Sequence, residues 1–180
     1  MLGMELWGAA LYGDPCGDCQ FDWRIDMVHA VVLVAASPAE VDRRSRDAVG
    51  DERLSAEAWS VAEYVSHMAD NLRNWAERVQ GARLAGVTDI AGYDPDELAR
   101  ARRYDSVPLA AARWALGISA PAWVDVMRAA LAEGVVVRHA TRGEQQAADI
   151  VRNNAHDVWH HLWDIDRVLG QSAAGVSRPG

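Results

Sequence analysis

Apolar residues recur at three-and-four spacing in four long stretches of the chain, and this pattern predicts helices. The clearest runs from Trp59 to about Gly81, where Val61, Val65, Met68, Leu72, Trp75 and Val79 line one face. Ser60 followed by Glu63 marks its start as a capping box, each side chain satisfying a backbone N–H of the first turn. A second stretch, from about Glu144 to Leu169, carries Ile150, Val151, Val158, Leu162, Ile165 and Val168. Thr141 with Glu144 reads as its capping box, and Gly170 stands where a left-handed residue ends a helix. A third helix is expected after Ser106, with Pro108 in its first turn, continuing toward Ala132 and bent or split by Gly117 and Pro121. A first helical region covers about Met27 to Val49 and is expected to restart at Pro38 after Ser37. The long connection from Gly81 to Asp105 carries a short helix at Asp96 to Arg103. Val135 to His139 is the one β-like run and is too short to define a sheet.

Four long helices in one chain predict an all-α protein, an antiparallel four-helix bundle over residues 25–170. An irregular extension over residues 1–24 with Cys16 and Cys19 precedes it, and a small, polar, flexible tail over 171–180 follows. The 180 residues suit one domain with a real core. There are 8 Trp but only 1 Phe, so Trp59, Trp75, Trp114, Trp123, Trp159 and Trp163 are expected to fill helix contacts. A formal net charge of −8 argues against a protein that tracks nucleic-acid phosphates. No apolar run approaches the roughly 20 residues of a membrane span. With no secretory pattern at the N-terminus, a cytoplasmic protein is expected.

Histidines carry the most chemical information. His156 and His160 lie four apart in the last helix, and at about 100° per residue their rings point the same way. Two imidazoles one turn apart suit Zn²⁺ or Ni²⁺, although the same spacing also fits half-buried core or surface histidines. His161 is turned about 140° from His156 and is not expected on that face. His67, midway along the Trp59 helix and flanked by Tyr64 and Asn71, is the candidate third ligand from a facing helix. Asp157 and Asp164 read as partners for ring N–H groups or as surface carboxylates. Cys16 and Cys19 read as a turn of reduced, packed thiols, as half of a metal site lacking two ligands, with His29 or a carboxylate to complete it, or as a redox pair. Arg73, Arg78, Arg113 and Arg152 are solvated charges or contacts for an anion, and His139 is a loop histidine. Trp7, Leu11 and Tyr12 are expected to dock on this chain or on a second copy in a homodimer. No phosphate loop or nucleophile elbow is found.

The segment Trp59-Ser60-Val61-Ala62-Glu63-Tyr64-Val65-Ser66-His67, with Ala155-His156-Asp157-Val158-Trp159-His160-His161-Leu162-Trp163-Asp164-Ile165, resembles the DinB-like (YfiT-like) superfamily. The likeness runs from about Asp14 to Gly170 but is specific only in these two blocks. It implies a four-helix bundle holding a divalent metal at His67, His156 and His160, with Tyr64 and Asn71 available to assist. Branches of the superfamily, maleylpyruvate isomerase among them, use low-molecular-weight thiols. The Lys-free, Ala-, Arg- and Val-rich composition associates the chain with mycothiol-using actinobacteria. The expected activity is therefore metal-dependent transfer of a thiol to a small electrophile, or a related isomerisation. The alternatives are a metal-dependent hydrolase or natural-product enzyme on the same scaffold, and a non-catalytic binder of a metal or small ligand.

Overall fold

The computed structural model describes residues 5–170. Their helices are α1 (Ala9–Tyr12), α2 (Met27–Arg44), α3 (Val61–Ala85), α4 (Pro95–Arg102), α5 (Leu109–Glu133) and α6 (Ala147–Val168), with a 3₁₀ turn at Tyr104–Ser106. The long helices α2, α3, α5 and α6 form a four-helix bundle in which α3 packs on α5, α5 on α2, α2 on α6 and α6 on α3. The predicted tail, 171–180, lies outside the described residues. None of the helices described is long and apolar enough to cross a membrane.

Local chemistry explains where each helix starts. Ser60 accepts from the Glu63 amide while the Glu63 carboxylate accepts from the Ser60 amide at 2.7 Å, so the predicted capping box forms. The Asp26 side chain caps α2 by accepting from the amides of Val28 and His29. Pro38 does not restart this helix. A proline there leaves the Val34 carbonyl without its amide donor, and the buried Ser37 hydroxyl donates to that carbonyl at 2.8 Å instead. Helix α5 likewise continues through Gly117 and Pro121. Leu116, Ala120, Trp123 and Val124 are buried on either side of Pro121, and packing of this face outweighs the roughly 3 kcal/mol an interior proline costs.

Two expectations are corrected. Residues 136–139 do enter a sheet: β1 (Asp89–Ile90), β2 (Val136–His139) and β3 (Gly143–Gln146) pair in that order, β1 parallel to β2 and β3 antiparallel to it. Arg138 faces Glu144 in the hairpin register, so Glu144 is a strand residue and Thr141 does not cap α6. The helix begins after the hairpin, where Gln146 and Asp149 form the capping box. His139 is thereby a buried strand residue, its ring 6.3 Å from Trp75. The second correction concerns the tryptophans. Trp75 and Trp123 are buried, Trp59, Trp159 and Trp163 are half-buried, but Trp114 is 71% exposed on the outer face of α5.

The core is centred on Met68, Leu72, Leu116, Trp123, Met127, Ile150 and Ile165. Several of its buried polar groups are paired across elements. The Trp123 Nε1 donates to Asn154 Oδ1 at 2.8 Å, tying α5 to α6. Arg44 meets Asp166 at 3.1 Å, tying α2 to α6. Asp70 accepts from Tyr104 Oη at 2.6 Å and from Arg102 at 2.7 Å, which anchors the connection between α3 and α5. The N-terminal segment joins the same core through Cys16, Cys19, Phe21 and Trp23.

Candidate metal centre

Helix α6 presents two sets of donor side chains, offset by one residue. His67, Asp157 and His161 form one cluster; Cys16, Cys19, His156 and His160 form the other. Within each cluster the donor atoms all lie within 4.8 Å of one another. The sequence-expected trio of His67, His156 and His160 is thus divided between the two. His156 and His160 do share a face, with ring centroids 5.3 Å apart, whereas His67 lies across from His161 at 4.9 Å. The about 140° that turns His161 away from His156 is what aims it at α3.

In the first cluster both imidazoles converge on one oxygen. Asp157 Oδ1 is 3.4 Å from His67 Nε2 and 3.6 Å from His161 Nε2. The other carboxylate oxygen is fixed by Asn71, whose Nδ2 donates to Oδ2 at 2.8 Å, and Tyr93 Oη donates to Asn71 Oδ1 at 3.3 Å. His161 Nδ1 faces Asp164 Oδ2 at 3.1 Å. A carboxylate behind a ring nitrogen selects the tautomer that leaves the opposite nitrogen as a donor. Trp59 packs on His67 at 5.0 Å and Tyr64 on His161 at 5.4 Å, walling the cluster. Burial opposes the charge on Asp157, yet the imidazoles of His161 and His67 hold its carboxyl well below the usual range. His161 responds in the opposite sense. Burial lowers it, but Asp157 and then Asp164 raise it to about 9.

These residues fit a divalent cation. Two ring nitrogens and a carboxylate are the donor set of catalytic zinc and non-haem iron sites, with positions left for water or substrate. Two donors each about 2.0–2.1 Å from a shared ion stand roughly 3.0–3.4 Å apart, close to the 3.4 and 3.6 Å seen here. His67 Nδ1, by contrast, is buried with no hydrogen-bond partner. Burial pushes the Tyr64 phenol up to about 12, so it keeps its proton through neutral pH.

The second cluster is ringed by aromatics. Cys16 Sγ lies 3.9 Å from His160 Nδ1. Tyr12, Trp23 and Phe21 surround the His156 ring at 4.5, 4.6 and 5.4 Å, which fixes Tyr12 on this chain. Burial, then His160, pushes His156 down to about 4. Both cysteines are buried and free. Burial pushes the Cys19 thiol up to about 12, its hydrogen bond with Cys16 adding to the rise. A cleft of about 690 Å³ lies between the cysteine segment, α2 and α6, and is lined by Cys19, Arg24, Arg44, Trp159 and Trp163. His67, Asp157 and His161 do not line it. His29 is not in either cluster and meets Asp26 at the start of α2. Among the four arginines, Arg73 pairs with Asp70 and Arg113 with Asp42, and Arg78 stacks on Trp75 and Tyr93.

Sequence reasoning missed Asp157 and His161 as members of the His67 cluster. The signal is in the sequence, since Asp157 and His161 are also four apart and share a helical face.

The four-helix bundle defines the class of fold, and comparison with known proteins agrees. The sequence profile of the DinB superfamily matches residues 20–165, and the chain belongs to that superfamily. Its structure is similar to YfiT from Bacillus subtilis, described as "a probable metal-dependent hydrolase with an unusual four-helix bundle topology". The two share 17% identity and a TM-score of 0.66, over 81% of this chain and 89% of that one. At that identity the likeness establishes the fold. No curated protein sequence matches the chain.

Proposed function

We propose that this chain is a metal-dependent enzyme that transfers a low-molecular-weight thiol, mycothiol by its compositional association, to a small electrophile at the His67–Asp157–His161 cluster. The observation that carries the metal-dependent part is the convergence of two Nε2 atoms on one oxygen of Asp157. A divalent ion bound there supplies Lewis acidity and lowers the pKa of a coordinated thiol or water.

The chain's own residues do the rest. Asp157 and the two imidazoles would hold the cation, three protein donors being the complement of a catalytic rather than a closed site. Asn71 orients the Asp157 carboxylate, and Tyr93 orients the Asn71 amide. Asp164 accepts from the Nδ1–H of His161 and keeps its Nε2 free to coordinate. Trp59 and Tyr64 limit water around the imidazoles, and the protonated Tyr64 hydroxyl can donate to a substrate oxygen.

The thiol-transfer part rests on the superfamily resemblance, and hydrolysis is the second reading, favoured by the description of the Bacillus subtilis neighbour. One assay separates them: the metal-loaded protein is given a panel of small electrophiles with and without mycothiol. Thiol adduct formed only when mycothiol is present, and lost in His67→Ala, is the expected result. Hydrolysis product formed without thiol would replace transfer by the second reading. Undiminished turnover by metal-free protein would overturn both.

A further inference from the structure

Cys16, Cys19, His156 and His160 together have the composition of a closed zinc site, and we propose that they bind one structural zinc ion that clamps the N-terminal segment onto α6. This site is separate from the His67 cluster and does not rest on the activity proposed above.

The donor set comes first. Two cysteines and two histidines are a standard tetrahedral zinc complement, the four ligands leaving no open position. All four donor atoms lie within 4.8 Å of one another. With Zn–S near 2.3 Å and Zn–N near 2.0–2.1 Å, sulfur and nitrogen on one tetrahedral ion stand about 3.5 Å apart. Cys16 Sγ and His160 Nδ1 are 3.9 Å apart before any contraction around an ion.

The surroundings favour a ligand role over simple packing. Cys16, Cys19 and His156 are 1%, 6% and 4% exposed, and His156 Nε2 is buried with no hydrogen-bond partner. A buried imidazole nitrogen without a partner is destabilising unless something satisfies it. A dication with two thiolates and two neutral imidazoles is electrically neutral overall, the form of charge a buried site tolerates. Binding releases the two thiol protons to solvent.

The backbone between the cysteines is shaped for the task. Gln20 has a left-handed φ of 59°, and its amide donates to the Cys16 carbonyl at 3.0 Å while the Cys16 amide donates to Phe21 O at 2.9 Å. These bonds close a tight loop that turns both sulfurs toward α6. Trp159, on α6 between the two histidines, donates from Nε1 to the Cys19 carbonyl at 2.8 Å and fixes the loop from the other side. The partners the cysteine pair lacks in the sequence around it are supplied by α6, 137 residues or more downstream, which is why local spacing does not reveal them.

The two sites also share a carboxylate. Asp164 Oδ2 is 3.1 Å from His161 Nδ1 and 3.8 Å from His160 Nε2, so each site has this residue behind one of its imidazoles.

The test is cobalt(II) titration of metal-stripped full-length protein, followed by absorption and by counting thiols that react with a thiol reagent. The expected result is a thiolate-to-cobalt charge-transfer band with tetrahedral d–d bands, and protection of both cysteines by one equivalent of cobalt or zinc. Cys19→Ser should abolish or shift the band, and His160→Ala should alter the d–d bands. Asp157→Ala should leave both in place while removing the other ion, so failure of the catalytic reading would not mimic failure here. The wild-type spectrum needs no variant to fold. Absence of a thiolate band with both thiols reacting equally fast with and without metal would overturn the proposal, as would a full band in Cys19→Ser.

Discussion

The two donor clusters on α6 are built from neighbouring residues and differ in donor number, donor type and charge. The Cys16–Cys19–His156–His160 set has four donors, two of them sulfur, and a neutral charge once loaded. The His67–Asp157–His161 set has three donors and a polar scaffold of Asn71, Tyr93 and Asp164 that orients them. Four donors close a coordination sphere and give stability; three leave room for chemistry. A one-residue step along the helix, about 100° of rotation, is enough to send one pair to the N-terminal segment and the next to α3.

Breaking the catalytic side of the contrast should have the largest effect. Asp157→Ala and His67→Ala should each remove the ion from the three-donor site and cut turnover by more than about 100-fold, beyond the usual cost of losing a hydrogen-bond partner to a ligand. Steady-state rates with metal analysis of the same samples check this. Asn71→Ala should cost less, on the order of 10–100-fold in metal affinity, because the ligands remain and only their orientation is lost; competition with a chelator measures it.

On the four-donor side, Cys19→Ser should leave the three-donor ion bound but destabilise the fold. Loss of a structural metal belongs with the larger mutational effects, on the order of 3 kcal/mol or more. At about 2–4 °C per kcal/mol for a chain of this size, Tm should fall by roughly 6–12 °C in a thermal melt.

A pH experiment sharpens the comparison. In the metal-free protein His161 is raised from 6.5 to about 9. Its contribution to stability is fully present below about pH 6.5 and is lost as pH rises through about 9. The same proton competes with the cation, so affinity at the three-donor site should climb with pH up to about 9 and then level. NMR titration of the His161 ring and metal affinities at several pH values test both statements. The smallest effect belongs to a residue outside either cluster: Trp114→Ala should change stability by no more than about 0.5 kcal/mol, since the ring is 71% exposed.

Much of the bundle was legible in the sequence because its helices carry strong local signals. The Ser60–Glu63 box and the apolar stripe from Val61 to Val79 are enough to place α3 within a few residues. The start of α6 is not legible because Glu144 satisfies a capping pattern but is claimed by strand pairing with Arg138, a tertiary interaction outside any local window. The continuity at Pro38 is hidden for a related reason: the Ser37 hydroxyl that supplies the missing hydrogen bond has no distinctive pattern. At the sites, helical geometry puts His156 and His160 on one face and turns His161 away from it. It could not say which face meets α3 and which meets the cysteine segment, because that depends on the rotation of α6 in the bundle. Asp157 reads as support for a ligand or as a surface carboxylate, although its one-turn spacing to His161 equals that of the histidine pair.

The assignment of ligands is tested most directly by metal content in a single background. Protein with Cys16 and Cys19 both replaced by Ser should keep one divalent ion per chain, and adding Asp157→Ala should remove it, while adding His156→Ala should not. An ion that survives the loss of Asp157 and disappears with His156 would contradict the account and restore the grouping of His67 with His156 and His160.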